Sequence, residues 1–198
     1  MLAMPVLETS RLTIRPFILE DLDAVHQLLD KDINAEDLHN KTMTTRRERA
    51  EWLEWSVMNY RQLANLNQPP YGDRAIVLTS TQTLIGICGF VPLLNAFEQI
   101  PNLGYQDLKG NPGRYTTEFG LFYAISPSHR HQGYATEAAQ ALVDYAFGQL
   151  HLRRVTATTE YENAGSMGVM RKLGMRMERN PRLEPAWLQV VGVLDNPE

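Results

Sequence analysis

The chain of 198 residues is 43% hydrophobic and carries a formal charge of -4 at neutral pH; it has enough apolar residues for one buried core, and its acidic balance disfavours nucleic acid as a main ligand. Its single cysteine, Cys88, excludes a disulfide framework and a cysteine-rich metal site, which suits a reducing compartment. The opening MLAMPVLETSR has no basic segment leading into an apolar core, and no stretch reaches the roughly 18 apolar residues of a membrane span, so a cytoplasmic protein without a leader or membrane anchor is expected.

In chain order, Leu12 to Phe17 alternates as a strand, and Glu20, Asp21 and Asp23 mark the start of a helix through Leu29. Thr45 to Leu66 has a helical pattern in which Trp52, Trp55, Tyr60 and Leu63 supply core bulk, while the basic cluster Arg46 to Arg49, interleaved with Glu48 and followed by Glu51, reads as a solvated face. Arg74 to Ser80 and Thr83 to Leu94 form an expected antiparallel pair, with Cys88 as a small buried strand residue. Residues 95–114 are long for a hairpin loop, yet Phe97, Ile100, Leu103 and Tyr105, with Tyr115 at the end, are too apolar for simple disorder; the segment reads as an ordered insertion, either a lid or a passive excursion. Strand Thr117 to Ile125, a helix entered at Gly133, strand Arg153 to Glu160, helix Asn163 to Leu173 stopped by Gly174, and a last pair around Met175 to Arg179 and Trp187 to Leu194 complete the order. The Pro and Gly clusters at 68–72 and 109–113 are loop-sized, so residues 1–198 are expected to form a single domain: a mixed α/β sheet with helices on both faces.

The segment ISPSHRHQGYATEAAQALVDYAFGQL, Ile125 to Leu150, is the most informative. A strand runs into Arg130, His131, Gln132, Gly133, Tyr134 and Ala135, and an apolar stripe at Ala135, Ala138, Ala139, Leu142 and Ala146 makes Gly133 to Thr136 the first turn of a helix. The unpaired amides of such a turn, reinforced by the helix dipole, suit a phosphate or pyrophosphate, although the local pattern alone also fits an ordinary strand, turn and helix.

Arg-x-x-Gly-x-Ala followed by Thr-Glu-Ala resembles the coenzyme A loop of the GNAT superfamily of N-acetyltransferases. LETSRLTIRPFILEDLDAVHQLL, Leu7 to Leu29, is similar to the opening of the RimJ/RimL-type branch, and ENAGSMGVMRKLGM, Glu162 to Met175, to its C-terminal helix motif. The resemblance implies the GNAT fold: a mixed, mostly antiparallel central sheet whose strand before the Gly loop is bulged and splayed from its neighbour to receive the pantetheine arm. It implies acetyl-CoA as acyl-donor cosubstrate and a primary amine, a protein N-terminus or a small molecule, as acceptor, with direct transfer in a ternary complex.

Carried over residue by residue, the pantetheine contacts fall on the backbone of Tyr123, Ala124 and Ile125, and the diphosphate contacts on Arg130, His131, Gln132, Gly133, Tyr134, Ala135 and Thr136. His131 is then a phosphate-side contact, and His129 and His151 are surface residues. Glu118 shares a strand face with Gly120, Phe122 and Ala124, and the resemblance implies a water-relayed base there, against a solvent-exposed strand-end carboxylate. Asn163 is a good helix N-cap one turn before Ser166; in the resembling branch the Asn contacts coenzyme A and the Ser supports the departing sulfur. Gly165 and Gly168 suggest close backbone approach or a tolerated defect. Met170 stands where many GNAT enzymes carry an acidic Tyr, leaving Ser166, a water or Tyr115 as proton donor.

No His, Asp or Glu spacing suggests a metal. Without Gly-Lys-Ser/Thr or Gly-x-Gly-x-x-Gly, a nucleotide-binding domain is disfavoured. The competing class is a non-catalytic acyl-CoA-binding module or sensor. The insertion is expected to cover the acceptor site, no nucleic-acid or membrane partner is expected, and either a monomer or a homodimer is compatible.

Overall fold

The computed structural model describes residues 4–33, 45–95, 97, 100, 102–103 and 115–197. They gather into two compact units, Met1–Phe90 with Phe122–Leu142, and Val91–Leu121 with Val143–Glu198. Each unit has its own apolar cluster, and β4 (Leu84–Asn95) and β5 (Thr116–Ile125) contribute residues to both.

In the first unit, β1 (Leu7–Glu8), β2 (Leu12–Pro16), β3 (Asp73–Leu78) and the first half of β4 follow one another as antiparallel neighbours. Two-residue alternation buries Leu12 and Ile14 of β2, and these pair with Leu78 and Ile76. The β3 ladder slips register between Ile76 and Val77. A 3-10 turn (Leu19–Asp21) leads into α1 (Leu22–Gln27), which continues as a π turn (Leu28–Asp32). With α2 (Arg46–Asn65), these elements bury Val25, Leu28, Leu29 and Leu53 against Phe17, Ala75, Val77 and Ile87.

Helix α2 starts where a reciprocal cap dictates: Thr45 Oγ1 accepts from the Glu48 amide at 3.2 Å, and the Glu48 carboxylate accepts from the Thr45 amide at 3.0 Å. Two expectations for this helix change. Trp52 meets Phe17 edge to face at 5.5 Å, but Trp55 is 61% exposed, so the ring stripe divides between core and solvent. In the basic cluster Arg46 and Arg47 stay in solvent, whereas Arg49 turns inward and grips Asp30 with two hydrogen bonds of 2.9 and 2.6 Å. His26 Nδ1 adds a third contact to Asp30 at 2.8 Å. Burial pushes the Asp30 carboxyl up, but the hydrogen bonds from Arg49 and His26 outweigh it and hold the group below the usual carboxylate range.

In the second unit, β5 meets β6 (Arg154–Thr159) in parallel through a single register pair, Gly120 with Thr156. β8 (Val190–Asp195) is antiparallel to both β6 and β7 (Arg176–Arg179) and lies between them. The β5–β6 ladder is parallel, whereas the β1–β2, β2–β3, β3–β4, β6–β8 and β7–β8 ladders are antiparallel, so the sheet is mixed and mostly antiparallel, with flanking helices. Phe97, Ile100 and Leu103 of the long segment are buried with Leu188, Val191 and Val193, which makes them core residues of this unit. Tyr105 and the rest of 104–114 lie outside the described residues. Cys88, in the first unit, is fully buried, and burial pushes its thiol up to about 12, as an inert strand residue requires.

Candidate functional site

In the first unit, β5 ends at Ile125, a 3-10 turn spans Pro127–His129, and α3 (Tyr134–Gly148) begins directly after Gly133. Two residues of the intervening loop are left-handed, His131 at φ 60° and Gly133 at φ 85°. A Cβ on Gly133 would meet the Arg11 guanidinium at an ordinary 3.4 Å, so the backbone angle, rather than crowding by the protein, calls for glycine. The first helical bond runs from the Glu137 amide to the Gly133 carbonyl at 3.0 Å, and the amides of Gln132 to Thr136 find no acceptor among the described residues. Ala138, Ala139, Leu142 and Ala146 are buried as their spacing predicts, which fixes the helix while its first turn stays accessible.

The strand feeding this loop has two distinct edges. The Ser126 amide donates to the Ile85 carbonyl of β4 at 2.8 Å, and a Cβ on Gly86 would stand 2.5 Å from the Ala124 carbonyl oxygen. Ala124 therefore presents its backbone to β4, and alternation turns the backbone groups of Tyr123 and Ile125 to the opposite edge. The Ile125 carbonyl accepts from Arg130 Nε at 3.1 Å, so that nitrogen braces the end of the strand.

Four residues that local patterning does not single out hold the loop from behind. The turn between β1 and β2 supplies Thr9, Ser10 and Arg11, all bonded to the carboxylate of Glu137 in the first turn of α3. Burial raises the Glu137 carboxyl, but hydrogen bonds from Thr9, Arg11 and Ser10 outweigh it and leave the group lowered. Pairing over 126 residues leaves no local signal, although both partners sit in recognisable motifs, TSR and TEA. Ser10, Arg11, Leu78, Thr79, Ser80 and Tyr134 line a cavity of about 310 Å³ beside this contact.

In the second unit, Glu118 is 4% exposed, which overturns the solvent-exposed alternative. Arg154 grips it with two nitrogens, Nε at 2.8 Å and Nη2 in a shorter contact, and sends Nη1 to the Leu103 carbonyl at 2.8 Å. The carboxylate thus secures Leu103 through Arg154. Asn163 caps α4 (Ala164–Lys172) by accepting from the Ser166 amide at 2.9 Å, as the spacing predicts. Neither α4 glycine marks a close approach among the described residues: none of them places an atom within 4 Å of a Cβ on Gly168, and on Gly165 the neighbour is Asn163 Oδ1 at 3.6 Å. Met170 is fully buried over Gly192 of β8, a core role, and Tyr115 is 68% exposed. His129 Nδ1 bonds the Ser128 hydroxyl at 2.9 Å, and His151 is exposed. No group of three metal-ligating side chains occurs among the described residues, and none of their helices is long and apolar enough to cross a membrane.

Residues 11–176 match the family model described as an acetyltransferase (GNAT) domain. The chain is 30% identical over 176 residues to the uncharacterized N-acetyltransferase p20 of Bacillus licheniformis, covering 88% of this chain and 84% of that protein. It is 44% identical over 66 residues to the uncharacterized N-acetyltransferase YnaD of Bacillus subtilis, a match spanning 33% of this chain and 38% of that protein. Among solved structures, a putative ribosomal-protein-serine acetyltransferase from Vibrio cholerae superposes with a TM-score of 0.69 at 19% identity, over 98% of this chain and 99% of that one. The accessible helix start behind a left-handed glycine, the mixed sheet and the family match agree, and the chain belongs to the GNAT family of acetyltransferases.

Proposed function

We propose that this GNAT protein is an N-acetyltransferase of the RimJ/RimL type that moves an acetyl group from acetyl-CoA to a primary amine. The observation that carries the reading is the row of amides from Gln132 to Thr136 at the start of a fifteen-residue helix, with Gly133 in the left-handed region. Such amides, aligned with the helix dipole, fit the diphosphate of coenzyme A. His131, exposed in the same loop, flanks that group. Arg130, with Nε on Ile125, shapes the loop's entry. The pantetheine arm pairs with the β5 segment Tyr123, Ala124 and Ile125, chiefly at the edge to which Tyr123 and Ile125 turn. The β5–β6 ladder itself is short, with Gly120 and Thr156 as its register pair.

Transfer then joins the amine nitrogen to the thioester carbon, breaks the carbon–sulfur bond, and needs one proton removed from nitrogen and one given to sulfur. Ser166, one turn into α4, is the proposed support for the departing sulfur, and Asn163 fixes that turn while contacting the coenzyme. Glu118 is the proposed acceptor of the amine proton through water, acting from within its ion pair with Arg154. The amine class is supported by the family match and by the likeness to p20 of Bacillus licheniformis, an uncharacterized N-acetyltransferase.

Full burial of Met170 gives the rival reading, a non-catalytic acyl-CoA-binding module, its specific support: no side chain at that place can protonate sulfur. Thiol release from acetyl-CoA, followed with a panel that includes free peptide N-termini, amino sugars and polyamines, separates the two. Amine-dependent release establishes the transferase. Acetyl-CoA binding without release by any amine establishes the binding module.

A further inference from the structure

We infer that Arg11 is a positioning residue for coenzyme binding, a latch that aims the Gly133 amide at the diphosphate. The inference rests on the acyl-CoA reading of the loop and adds a role for a residue outside the loop itself. Arg11 uses every part of its donor set within one small region. Nε and Nη2 hold Glu137 Oε2 at 2.7 and 2.6 Å, and the Arg11 backbone amide holds Oε1 at 3.0 Å. Nη1 holds the Gln132 carbonyl at 3.0 Å, and the guanidinium lies 4.4 Å over the ring of Tyr134. The Thr9 and Ser10 hydroxyls complete the shell of Glu137 at 2.7 and 3.1 Å.

Two consequences follow from elementary geometry and charge. The Gln132 carbonyl and the Gly133 N–H belong to one peptide group, and in a trans peptide they point in opposite directions. Drawing the carbonyl to Arg11 therefore turns the Gly133 N–H to the far side of the loop. Gly133 lacks a Cβ, which makes its flanking peptides the easiest in the loop to rotate. The latch removes that freedom before a ligand arrives, so less ordering is left for binding to supply. The second consequence is electrostatic. A carboxylate in the first turn of α3 competes with a bound anion for the positive helix end, and pairing it with Arg11 cancels that competition. Only a planar fork reaches Glu137 and Gln132 together, so lysine does not replace it.

The test compares two acyl donors that differ in the group the latch serves. Acetyl-CoA carries the diphosphate and S-acetylpantetheine does not. Dissociation constants are measured for wild type, Arg11→Ala and Arg11→Lys, by calorimetry for the first ligand and by chemical-shift titration for the second. Thermal unfolding of each protein verifies that it is folded. The latch predicts that both variants weaken acetyl-CoA about tenfold, the effect of losing one oriented, charge-neutralised donor, and leave S-acetylpantetheine unchanged. Unaltered acetyl-CoA affinity in the folded Arg11→Lys protein, or an equal loss for both ligands, overturns it. A wild-type protein that binds neither donor overturns the acyl-CoA reading itself, and one that binds both equally removes the loop as the diphosphate site.

Discussion

Replacing Glu118 with Gln keeps the side-chain shape but withdraws the charge that Arg154 holds. Two effects are expected together: lower thermal stability, because a nearly buried guanidinium loses its counter-charge, and lower turnover with a pH profile moved alkaline, because only the already neutral amine remains reactive. Acetyl-CoA affinity should stay the same. Lower stability with a normal rate and pH profile would reduce Glu118 to an anchor for Arg154 and Leu103. At this scale the sequence was readable where the partner is local. Asn163 caps the amide three residues on, so its role follows from spacing alone. Glu118 with Arg154, and Glu137 with Arg11, are partners across the fold, and a carboxylate whose partner lies 36 or 126 residues away looks like any strand-end or helix-start acid.

Among the elements, α2 matches its expected span to within a residue because a reciprocal cap begins it and a long apolar pattern sustains it. β1 escaped notice because two residues carry no periodicity, although the turn after it supplies the latch. The buried Arg49 could not be told from its exposed neighbours by charge pattern, since its partner Asp30 lies in the preceding π turn. Arg49→Met is expected to cost about 3 kcal/mol, chiefly by leaving the Asp30 charge without its main partner, measured as a shift in denaturant unfolding at pH 7. The folded Asp30 carboxyl is held below its unfolded value. Its contribution is complete above the unfolded value near 3.9 and is lost as the pH falls through the folded one, so the gap between wild type and variant should narrow in acid. A gap that widened on acidification would contradict this assignment.

For the whole molecule, the composition and order of elements announced a mixed α/β fold, while the division into two units rests on contacts that link distant stretches of chain. Within the 95–114 segment, which is expected to cover the acceptor site, Phe97, Ile100 and Leu103 are core residues of the second unit. With Met170 in the core and Glu118 ion-paired, the proposed chemistry favours amines that lose a proton easily. An α-amine and a lysine differ by about 2.4 pKa units, roughly 3 kcal/mol of deprotonation at neutral pH. A peptide with a free N-terminus should therefore be acetylated with higher kcat/KM than the same peptide blocked there and carrying one lysine; equal use of the blocked peptide would assign selection to pocket shape. The most direct measurement of the central claim is calorimetric titration of acetyl-CoA into wild type and Gly133→Val. A branched side chain cannot readily adopt φ 85°, so it moves the loop amides off the diphosphate. Clear binding by wild type is expected, with affinity at least about tenfold weaker in the folded variant, a loss of about 1.4 kcal/mol. Equal affinity in a folded Gly133→Val protein would contradict it.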